Sequence, residues 1–563
     1  MTTTDSSDLV RGVGVSPGRA AGPVAQVRPP AGEPDTGPPV PEDRVDPEAE
    51  RIGRAAQAVA EDLERSAASV EGERRELLET TAQMAADPTL VGTAADLVRG
   101  ERLPPERAVW QAAGTVAEQL RELGGYMAER ARDVADVRDR IIAELTGAPV
   151  PGVPQRAEPF VLVALDLAPA DTALLDPERV RAIVTAEGGP TSHTAILARS
   201  LGIPAVVGLR GALETLTDDR TVLVDGGAGT VRVDPTEEEI AAARRPATTT
   251  RPFDGHGRTA DGHDVELLAN VGDPTSAEAA EAANAQGVGL FRTEFCFLDR
   301  TEEPGIEEQA AAYGKVLAHF PGKKVVIRTL DAGADKPMPF VVADDEVNPA
   351  LGVRGLRTSR HAPEVLDHQL AAIAQAAADH EADVWVMAPM VTTVEETEAF
   401  VAACGRYGLT RAGVMVEVPS AALLSGPILA RATFASLGTN DLTQYAMAAD
   451  RLLGSLAELS DPWQPAVLRL VEATCAGGAQ QSRPVGVCGE AAADPALAVV
   501  LIGLGVTSLS MTPRALGEVA AVLQATDLQA CRELAGAALA AESAADARSR
   551  VREALPVLAE LGL

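Results

Sequence analysis

From residue 262 onward the sequence repeats one unit, a short apolar run that ends in polar residues and is followed by helical text. Eight such runs can be read as strands: VELLANV, VGLFRTEF, VVIRTLD, VWVMAPM, GVMVEVP, FASLGTND, PVGVCGE and TSLSMTP. Eight parallel strands that alternate with helices close into a (β/α)8 barrel, and about 300 residues is an ordinary length for one. The repeat therefore predicts a C-terminal (β/α)8 barrel over 263–563.

The residues before the barrel are of several kinds. Residues 45–146 place apolar side chains three and four positions apart between charges, as in DPEAERIGRAAQAVAEDLERSAASV, which predicts a helical bundle. Residues 147–235 alternate short apolar runs with helical text, which predicts a small α/β domain. The Pro-rich residues 28–43 predict an exposed loop, and residues 236–262 predict a linker helix followed by a flexible tail. The predicted fold class is α/β multidomain.

Length and charge limit the classes of protein to consider. A chain of 563 residues is too long for one hydrophobic core. The net charge of -33 disfavours nucleic acids and anionic membranes as partners, because an acidic surface repels them, and it favours a small basic protein. The five cysteines form no CxxC pair, and neither a signal peptide nor a membrane-spanning apolar run is present in the sequence. We expect a soluble cytoplasmic protein.

Polar side chains stand at the ends of most predicted barrel strands. Active sites of such barrels collect at the carboxyl ends of the strands, so these side chains should converge on one mouth. Each residue taken alone is more often an ordinary loop charge, but the recurrence at nearly every strand end favours a site. The residues are Arg292, Thr293, Glu294, Arg328, Asp331, Glu417, Asn440, Asp441, Cys488 and Glu490.

The residue types indicate what this mouth binds. Arg292, Arg328, Arg354 and Arg451 offer forked donors that grip phosphate or carboxylate with two N–H groups. Glu417 and Asp441 are hard oxygen ligands, too few to enclose calcium but suited to Mg²⁺, which retains waters and accepts phosphate oxygens of a substrate. The implied ligand is a small phosphorylated anion.

Cys488 lies in VGVCGE, between two glycines at a predicted strand end. A buried structural thiol is the commoner role for a cysteine, and we assign Cys404 and Cys475 to it. The position of Cys488 over the barrel mouth favours a proton donor or acceptor whose pKa nearby arginines can shift.

His193 lies in GGPTSHTAILAR, where Thr191 or Ser192 is a good N-cap for the helix that follows. The N-terminal end of a helix disfavours a protonated imidazole and favours an anion beside it. A neutral imidazole there can act as a nucleophile that carries a phosphoryl group. A histidine held only by local hydrogen bonds is the alternative, whereas a metal site is disfavoured because no ligand cluster lies nearby in the sequence.

Several segments resemble a known family. GGPTSHTAILARSLGIPAVVG resembles the phosphohistidine signature of the phosphoenolpyruvate-utilising enzymes, and ASLGTNDLTQYAMAADR resembles their second signature. GVGLFRTEF, VVIRTLDAGADK, NPALGVRGLR, GVMVEVPSAA and GVCGE follow the order found in Enzyme I of the phosphoenolpyruvate-dependent sugar phosphotransferase system. Nearly the whole chain is similar to that family.

The resemblance implies a domain organisation. Residues 1–28 together with 147–235 would form a swivelling phosphohistidine domain, into which residues 45–146 insert as a helical subdomain that binds the phosphocarrier HPr. Residues 236–262 would be the hinge, and residues 263–563 the barrel that binds phosphoenolpyruvate and forms a homodimer. The implied reaction moves a phosphoryl group from phosphoenolpyruvate to a histidine and then to HPr, releases pyruvate and begins sugar uptake.

The resemblance also implies residue roles. His193 would take the phosphoryl group, Cys488 would protonate the enolate to pyruvate, and Glu417 and Asp441 would ligate Mg²⁺. The residues implied to bind phosphoenolpyruvate or its phosphate are Arg292, Arg328, Arg354, Asn440, Asp441 and Arg451, with Lys336 joining them. The sequence departs from the family pattern at Pro190, where Arg is common, at Val353, where Trp is common, and in the loop after Arg451. These departures affect substrate-loop details and leave the reaction class unchanged.

Other functions share parts of this pattern. A dikinase or phosphoenolpyruvate synthase needs a nucleotide-binding domain, which the largely helical residues ahead of the phosphohistidine unit do not supply. A nitrogen-regulatory paralogue normally has an additional N-terminal sensory domain. A non-enzymatic relative would have lost the histidine, an arginine or a Mg²⁺ ligand, and this sequence retains them all.

Overall fold

The structure, a computed structural model, forms two compact units, Met1–Arg244 and Arg245–Leu563. It describes residues 9–243 and 251–563, except 17, 28–31, 71, 72, 124, 149, 155, 157, 168, 190–192, 298, 299, 301, 333–337, 339, 342–345, 347 and 452. The boundary between the units falls within the stretch predicted as a linker.

A mixed sheet organises the first unit. Its strands are β1 (Leu9–Arg11), β2 (Val13–Ser16), β3 (Arg19–Gln26), β4 (Phe160–Ala164), β5 (Val180–Thr185), β6 (Ala205–Val207), β7 (Thr221–Asp225) and β8 (Thr230–Val233). In the described residues the strand order is β1-β8-β7-β3-β4-β5-β6-β2. The β3–β4, β4–β5 and β5–β6 pairs are parallel, and the remaining pairs are antiparallel. The N-terminal strands and the later strands thus share one sheet.

A helical bundle is inserted between β3 and β4, which pair side by side. Its helices are α1 (Val45–Ala67), α2 (Glu73–Ala85), α3 (Pro88–Glu101), α4 (Pro105–Leu123) and α5 (Gly125–Thr146). The apolar face of α1 is fully buried at Ile52 and Leu63, as its heptad-like spacing predicts. The remaining helices of this unit are α6 (Pro169–Ala173), α7 (His193–Leu201), α8 (Ala212–Thr215) and α9 (Glu237–Ala243).

Two segments differ from their predicted character. The Pro-rich loop is exposed over most of its described residues but is attached to the bundle, because Val40 is buried and both its N–H and its C=O bond to Arg102. The described residues of the predicted linker pack on the two units. Its helix, α9, packs on β3 and β7, whereas Phe253 is buried in the core of the second unit. Residues 244–250 lie outside the described residues.

The second unit contains a closed parallel barrel, whose described strands number the predicted eight. They are β9 (Glu266–Val271), β10 (Gly287–Arg292), β11 (Lys324–Arg328), β12 (Asp383–Ala388), β13 (Ala412–Val416), β14 (Ala435–Leu437), β15 (Val485–Val487) and β16 (Ser508–Met511). Strand β16 pairs with β9 from Ser508 to Met511 and closes the ring. The predicted fold class, a helical bundle inserted in a small α/β domain and followed by a (β/α)8 barrel, is confirmed.

Helices surround the barrel and extend it at the C-terminal end of the chain. They are α10 (Pro274–Ala282), α11 (Ile306–Leu317), α12 (Pro363–Asp379), α13 (Val394–Arg406), α14 (Pro419–Leu423), α15 (Ser425–Leu429), α16 (Thr439–Met447), α17 (Pro465–Gln481), α18 (Pro495–Gly503), α19 (Leu516–Gln524), α20 (Leu528–Leu539), α21 (Ala544–Glu553) and α22 (Pro556–Leu561). Helix α20 packs on the uniformly apolar α18 and covers it. Across the described residues, no helix has both the length and the apolar character needed to cross a membrane.

Candidate active site

His193 is the first residue of α7, in the first unit. The preceding Gly188 has a φ of 93°, a conformation that favours glycine. Thr194 is buried and donates to Asp166 Oδ1 at 3.5 Å, which ties the start of α7 to the loop after β4. The helix begins where the sequence predicts, in the residues directly after Thr191 and Ser192. The His193 side chain, Pro190 and the predicted caps Thr191 and Ser192 lie outside what the structure describes.

In the second unit, the carboxyl ends of the strands bring most of the predicted side chains to one mouth. Arg328 is the last residue of β11 and pairs in the ladder with Arg292, the last residue of β10. The Arg328 guanidinium is buried and bonds to Glu294 Oε1 at 2.6 Å and to Asp331 Oδ2 at 3.0 Å. Burial lowers the pKa of Arg328, but the charges of Glu294, Asp331 and Glu417 outweigh it and raise the pKa overall. Arg328 is therefore a fixed cation at the centre of the mouth.

Asp441 connects two further arginines. It lies in the first turn of α16, directly after β14, and is itself buried. Its Oδ1 is 3.2 Å from Arg354 Nη2 and its Oδ2 is 3.2 Å from Arg451 Nη1. Arg354 also approaches Asp331, with 3.8 Å between Nε and Oδ1. The acids thus hold Arg328, Arg354 and Arg451 in one network.

Glu417 follows β13 and is almost completely buried. Its Oε1 accepts the backbone N–H of Met390 at 2.6 Å, and Met390 has a φ of 55°, which turns that N–H toward the carboxylate. Burial, together with the charges of Asp331 and Asp441, raises the pKa of Glu417 to about 8, against the opposing effects of Arg328 and the Met390 hydrogen bond. A Cβ on Gly438 would lie 2.7 Å from Glu417 Oε2, so glycine leaves room for this carboxylate.

Asn440 and Cys488 complete the mouth. Asn440 Oδ1 accepts the backbone N–H of Glu490 at 3.4 Å. The Cys488 thiol is buried, lies 3.6 Å from the Leu437 carbonyl oxygen and is close enough to Arg292, Arg328 and Glu417 to interact with their charges. Burial raises its pKa to about 11, against the opposing effects of the Ser436 side chain and of the two arginines. The thiol therefore holds its proton at neutral pH.

The arginines differ in exposure. Arg292 is exposed, whereas Arg328 and Arg354 are buried. Arg292 is thus the cation that an entering anion meets at the surface of the mouth. Lys336 lies outside the described residues.

Two contributions to this site escaped the sequence analysis. Asp331 was recognised only as a polar strand end, yet it contacts Arg328 and Arg354 together. The Met390 amide has no sequence signal, because its role depends on a left-handed backbone at a residue other than glycine. For Asp331, the available sequence signal was an acidic residue three positions after the apolar strand β11.

The polar atoms of the mouth are not all satisfied. Among the described residues, the buried atoms Arg328 Nε, Glu294 Oε2 and Thr439 Oγ1 have no hydrogen-bond partner. Buried polar groups are nearly always bonded, so unpartnered ones at a mouth are typical of a site that takes a ligand. No cluster of three or more described His, Cys, Asp or Glu side chains forms a metal cage. Glu417 and Asp441 nevertheless suit a cation that keeps waters, because their oxygens are hard and the raised pKa of Glu417 shows that its ionised form lacks a compensating positive charge.

Comparison with known families matches each part of the chain. Residues 251–528 match the PEP-utilising enzyme, PEP-binding domain; residues 156–229 match the PEP-utilising enzyme, mobile domain; and residues 11–130 match the PEP-utilising enzyme, N-terminal domain. Along the chain, the N-terminal, mobile and PEP-binding matches therefore follow the same order as the helical, α/β and barrel parts described above.

Two similar proteins span almost the same length. The phosphoenolpyruvate-protein phosphotransferase of Streptomyces coelicolor is 49% identical over 560 residues, which cover 97% of this chain and 99% of that protein. The phosphoenolpyruvate-protein phosphotransferase of Haloferax volcanii is 41% identical, over 95% of this chain and 97% of that protein. A multiphosphoryl transfer protein of Xanthomonas campestris is 40% identical over 78% of this chain and 54% of its own length. The chain belongs to the PEP-utilising enzymes and, within them, to the phosphoenolpyruvate-protein phosphotransferases called Enzyme I.

Proposed function

We propose that this chain transfers the phosphoryl group of phosphoenolpyruvate to His193 and then to the histidine of an HPr-like carrier protein, with release of pyruvate. The observation that carries the proposal is the convergence of arginines and carboxylates at the barrel mouth, in a chain of this family. The cations there are Arg292, Arg328, Arg354 and Arg451, and the anions are Glu294, Asp331, Glu417 and Asp441.

Such a mouth suits the transfer of a phosphoryl group. In this step the histidine nitrogen bonds to phosphorus, and the bond from phosphorus to the enol oxygen breaks with its electron pair remaining on the enolate. The protein's task is mainly to position the groups and neutralise charge. Arg292 meets the substrate at the surface, while Arg328 and Arg354, held by their acids, offer oriented N–H donors. Asn440 and Arg451 border the phosphate on the α16 side.

Glu417 and Asp441 would hold Mg²⁺, which when bound supplies positive charge to the phosphoryl oxygens. The Met390 amide orients the Glu417 carboxylate, and Gly438 keeps its other oxygen uncovered by a side chain. Glu417 directly follows β13, and Asp441 lies in the first turn of α16, after the neighbouring strand β14, which fixes their separation.

Cys488 would protonate the enolate carbon to give pyruvate. Its raised pKa, about 11, keeps the thiol protonated at neutral pH, as a proton donor requires. Protonation of the enolate makes the transfer hard to reverse.

The second transfer requires a carrier protein, and the net charge of -33 favours a small basic one. The helical bundle, α1–α5, is its proposed docking subdomain. Several further points stay predictions. They are movement of the first unit between barrel and carrier, dimerisation through the barrel, a cytoplasmic location and a role in sugar uptake.

Incubation with phosphate-labelled phosphoenolpyruvate and Mg²⁺ tests the proposal. We expect label on the protein that is stable in alkali and labile in acid, as phosphohistidine is, and no label on His193→Ala. The His319→Ala variant is the matched control, since His319 is a surface residue that bonds to Glu281, and it should be labelled like the parent. Label that requires ATP, or that persists in His193→Ala, would reject the proposal.

A further inference from the structure

The interior of the barrel is polar on one side. An apolar cluster of Leu290, Val326, Met387, Met415 and Phe434, which Cys488 joins, fills the part beside β10 to β14. The part beside β14, β16 and β9 instead carries Ser436, Ser508, Ser510 and Asn270. Bulky branched side chains usually fill such barrels, so a run of small hydroxyl groups is unusual.

A cavity lies on this polar side, below Cys488. Gly486 lies in β15, and Cys488 directly follows the last residue of that strand, two positions after Gly486. The Cys488 N–H donates to the Leu437 carbonyl of β14 and so continues the strand pairing, which turns both positions to the barrel interior. A Cβ on Gly486 would lie 2.3 Å from Ser508 Oγ, and the absence of one leaves room for a cavity of about 20 Å³. Its lining is mixed, with polar groups on Ser436, Ser508, Ser510 and Lys324 and apolar side chains that include Leu268, Val326 and Phe434. This volume and this lining suit one water molecule.

Ser436 connects the cavity to the thiol. Its side chain lines the cavity, and Ser436 pairs in the ladder with Gly486, two residues before Cys488, which places the hydroxyl near the thiol. The opposite wall is fixed, because Ser510 Oγ donates to Asn270 Oδ1 at 2.6 Å and Asn270 Nδ2 donates to the Cys488 carbonyl at 3.1 Å. The thiol and the cavity therefore keep a constant geometry.

The cavity extends toward the amino-terminal mouth of the barrel, away from the substrate. Lys324 and Ser508, which line it, are the first residues of β11 and β16, and Ser508 is half-buried. Lys324 bonds to Glu266 Oε2 at 2.5 Å and lies 4.3 Å from the centre of the Trp385 ring, which also lines the cavity. Solvent thus approaches the cavity from the face opposite the active site.

We propose that Ser436 and this cavity form the route by which Cys488 regains its proton from solvent at the amino-terminal mouth. The inference rests on the proposed role of Cys488 as the proton donor. When the thiol proton bonds to the enolate carbon, the sulfur is left as a thiolate. The thiolate then takes the Ser436 hydroxyl proton while the Ser436 oxygen takes one from water in the cavity, and that water is restored by a proton from bulk solvent. Substrate in the carboxyl-terminal mouth covers the other side of the thiol.

The exchange of carbon between phosphoenolpyruvate and pyruvate tests this route with the intact protein alone. The protein, Mg²⁺, phosphoenolpyruvate and carbon-14 pyruvate are incubated in D₂O, and two quantities are measured in the same reaction: carbon-14 in phosphoenolpyruvate and deuterium in the pyruvate methyl group, corrected for an enzyme-free sample. Without a route to solvent, the same proton shuttles between sulfur and carbon. The ratio of deuterium to carbon-14 therefore reports on the route and is independent of a general loss of activity.

For Ser436→Ala we expect this ratio to fall several-fold, and for Ser436→Thr, which retains the hydroxyl, to return toward the parent value. Ser425→Ala is the matched control, since Ser425 is a buried serine outside the barrel interior that bonds to the Ala473 carbonyl, and its ratio should equal that of the parent. A parent ratio in Ser436→Ala, together with lost deuterium incorporation in Cys488→Ala, would overturn the route and leave the proposed function standing. Unchanged exchange and deuterium incorporation in Cys488→Ala would overturn the role of the thiol itself.

Discussion

At the scale of single residues, Arg328 most directly tests the geometry of the mouth. It uses two nitrogens to contact two different acids, Glu294 and Asp331, and a lysine offers one point charge on a flexible chain. We expect Arg328→Lys to lower kcat/KM for pyruvate formation by about 10²–10³-fold, the effect of losing an oriented donor.

Arg360→Lys is the matched control for that variant. Arg360 is exposed and pairs with Glu396 on the barrel surface, so kcat/KM should stay at the parent value. Steady-state pyruvate release measures both variants. If Arg328→Lys behaves like Arg360→Lys, Arg328 has no part in binding the substrate.

The balance of charge at the mouth predicts that Mg²⁺ and substrate bind together. Burial and the neighbouring acids raise the pKa of Glu417, which indicates too little positive charge around its carboxylate. A phosphorylated anion that binds without a metal ion would add more negative charge to the same mouth. We expect the Kd for phosphoenolpyruvate to rise more than about tenfold when Mg²⁺ is removed. Titration calorimetry with His193→Ala, which cannot turn over, measures this. Equal Kd values with and without Mg²⁺ would exclude a metal site next to the substrate.

At the scale of elements, α6 joins the bundle to the helix that begins at His193. It packs on α2 and on α7, and Arg140 of α5 donates to its Asp171 at 2.7 Å. Arg140 also bonds to Asp136, so one cation serves two buried acids. Burial and the charge of Asp136 raise the pKa of Asp171 to about 7, against the opposing effect of Arg140.

This shift predicts how the stability of the first unit depends on pH. Because the pKa in the folded chain lies above the usual Asp value near 3.9, folding takes up a proton, and the resulting stability is lost as pH rises from about 4 to about 7. Asp171→Asn keeps an acceptor for Arg140 and cannot ionise. We therefore expect it to raise the Tm at pH 8 relative to the parent and to have less effect at pH 5.5.

Asp96→Asn is the control for Asp171→Asn, because the Asp96 side chain is exposed and pairs only with the exposed Arg99 among the contacts described. Thermal unfolding followed by circular dichroism at the two pH values gives the comparison. The opposite pH dependence, with Asp171→Asn less stable at pH 8 than at pH 5.5 relative to the parent, would mean that folding lowers the pKa of Asp171 instead of raising it.

Regular elements were predictable where apolar periodicity was strong. The barrel strands and α1 follow from alternation and spacing, and the polar strand ends at Arg292, Glu417 and Cys488 follow from the topology of a parallel barrel. The run FASLGTND forms a strand only over β14, because Thr439 already starts α16. The short strands β1, β2, β6 and β8 escaped detection by pattern. Three or four residues establish no period by themselves, and these strands, unlike the equally short β14 and β15, lie outside the strand–helix repeat of the barrel.

At the site, sequence reasoning identified the residue types but not their partners. The pairing of Asp441 with both Arg354 and Arg451 depends on loops that are far apart in sequence. The Met390 amide and the cavity below Cys488 depend on backbone conformation and on packing across strands, for which one sequence has no signal.

At the scale of the whole molecule, each unit has its own hydrophobic core. The barrel core contains residues from Phe253 to Leu563, whereas the bundle and the sheet of the first unit have separate clusters. We expect two transitions in calorimetry. Phosphoenolpyruvate with Mg²⁺ should raise the Tm of the barrel transition alone. The corresponding gain in the free energy of unfolding is about 2.7 kcal/mol at a ligand concentration of 100 times Kd.

His193→Ala should show the same ligand-induced shift, because the proposed substrate site lies in the barrel unit. The scan is repeated with Arg328→Lys to assign the ligand-induced Tm shift to the barrel mouth. This variant should show a smaller shift than the parent. A ligand-induced shift confined to the transition of the first unit would place the substrate site elsewhere.

The central claim is that the phosphoryl group leaves phosphoenolpyruvate for His193. The most direct measurement is the amount of pyruvate released when the protein alone, without any carrier protein or nucleotide, is mixed with excess phosphoenolpyruvate and Mg²⁺. The account predicts a burst of about one pyruvate per chain, as expected when a covalent intermediate accumulates, and no burst from His193→Ala. Continuous release without a burst, or an equal burst from His193→Ala, would contradict it.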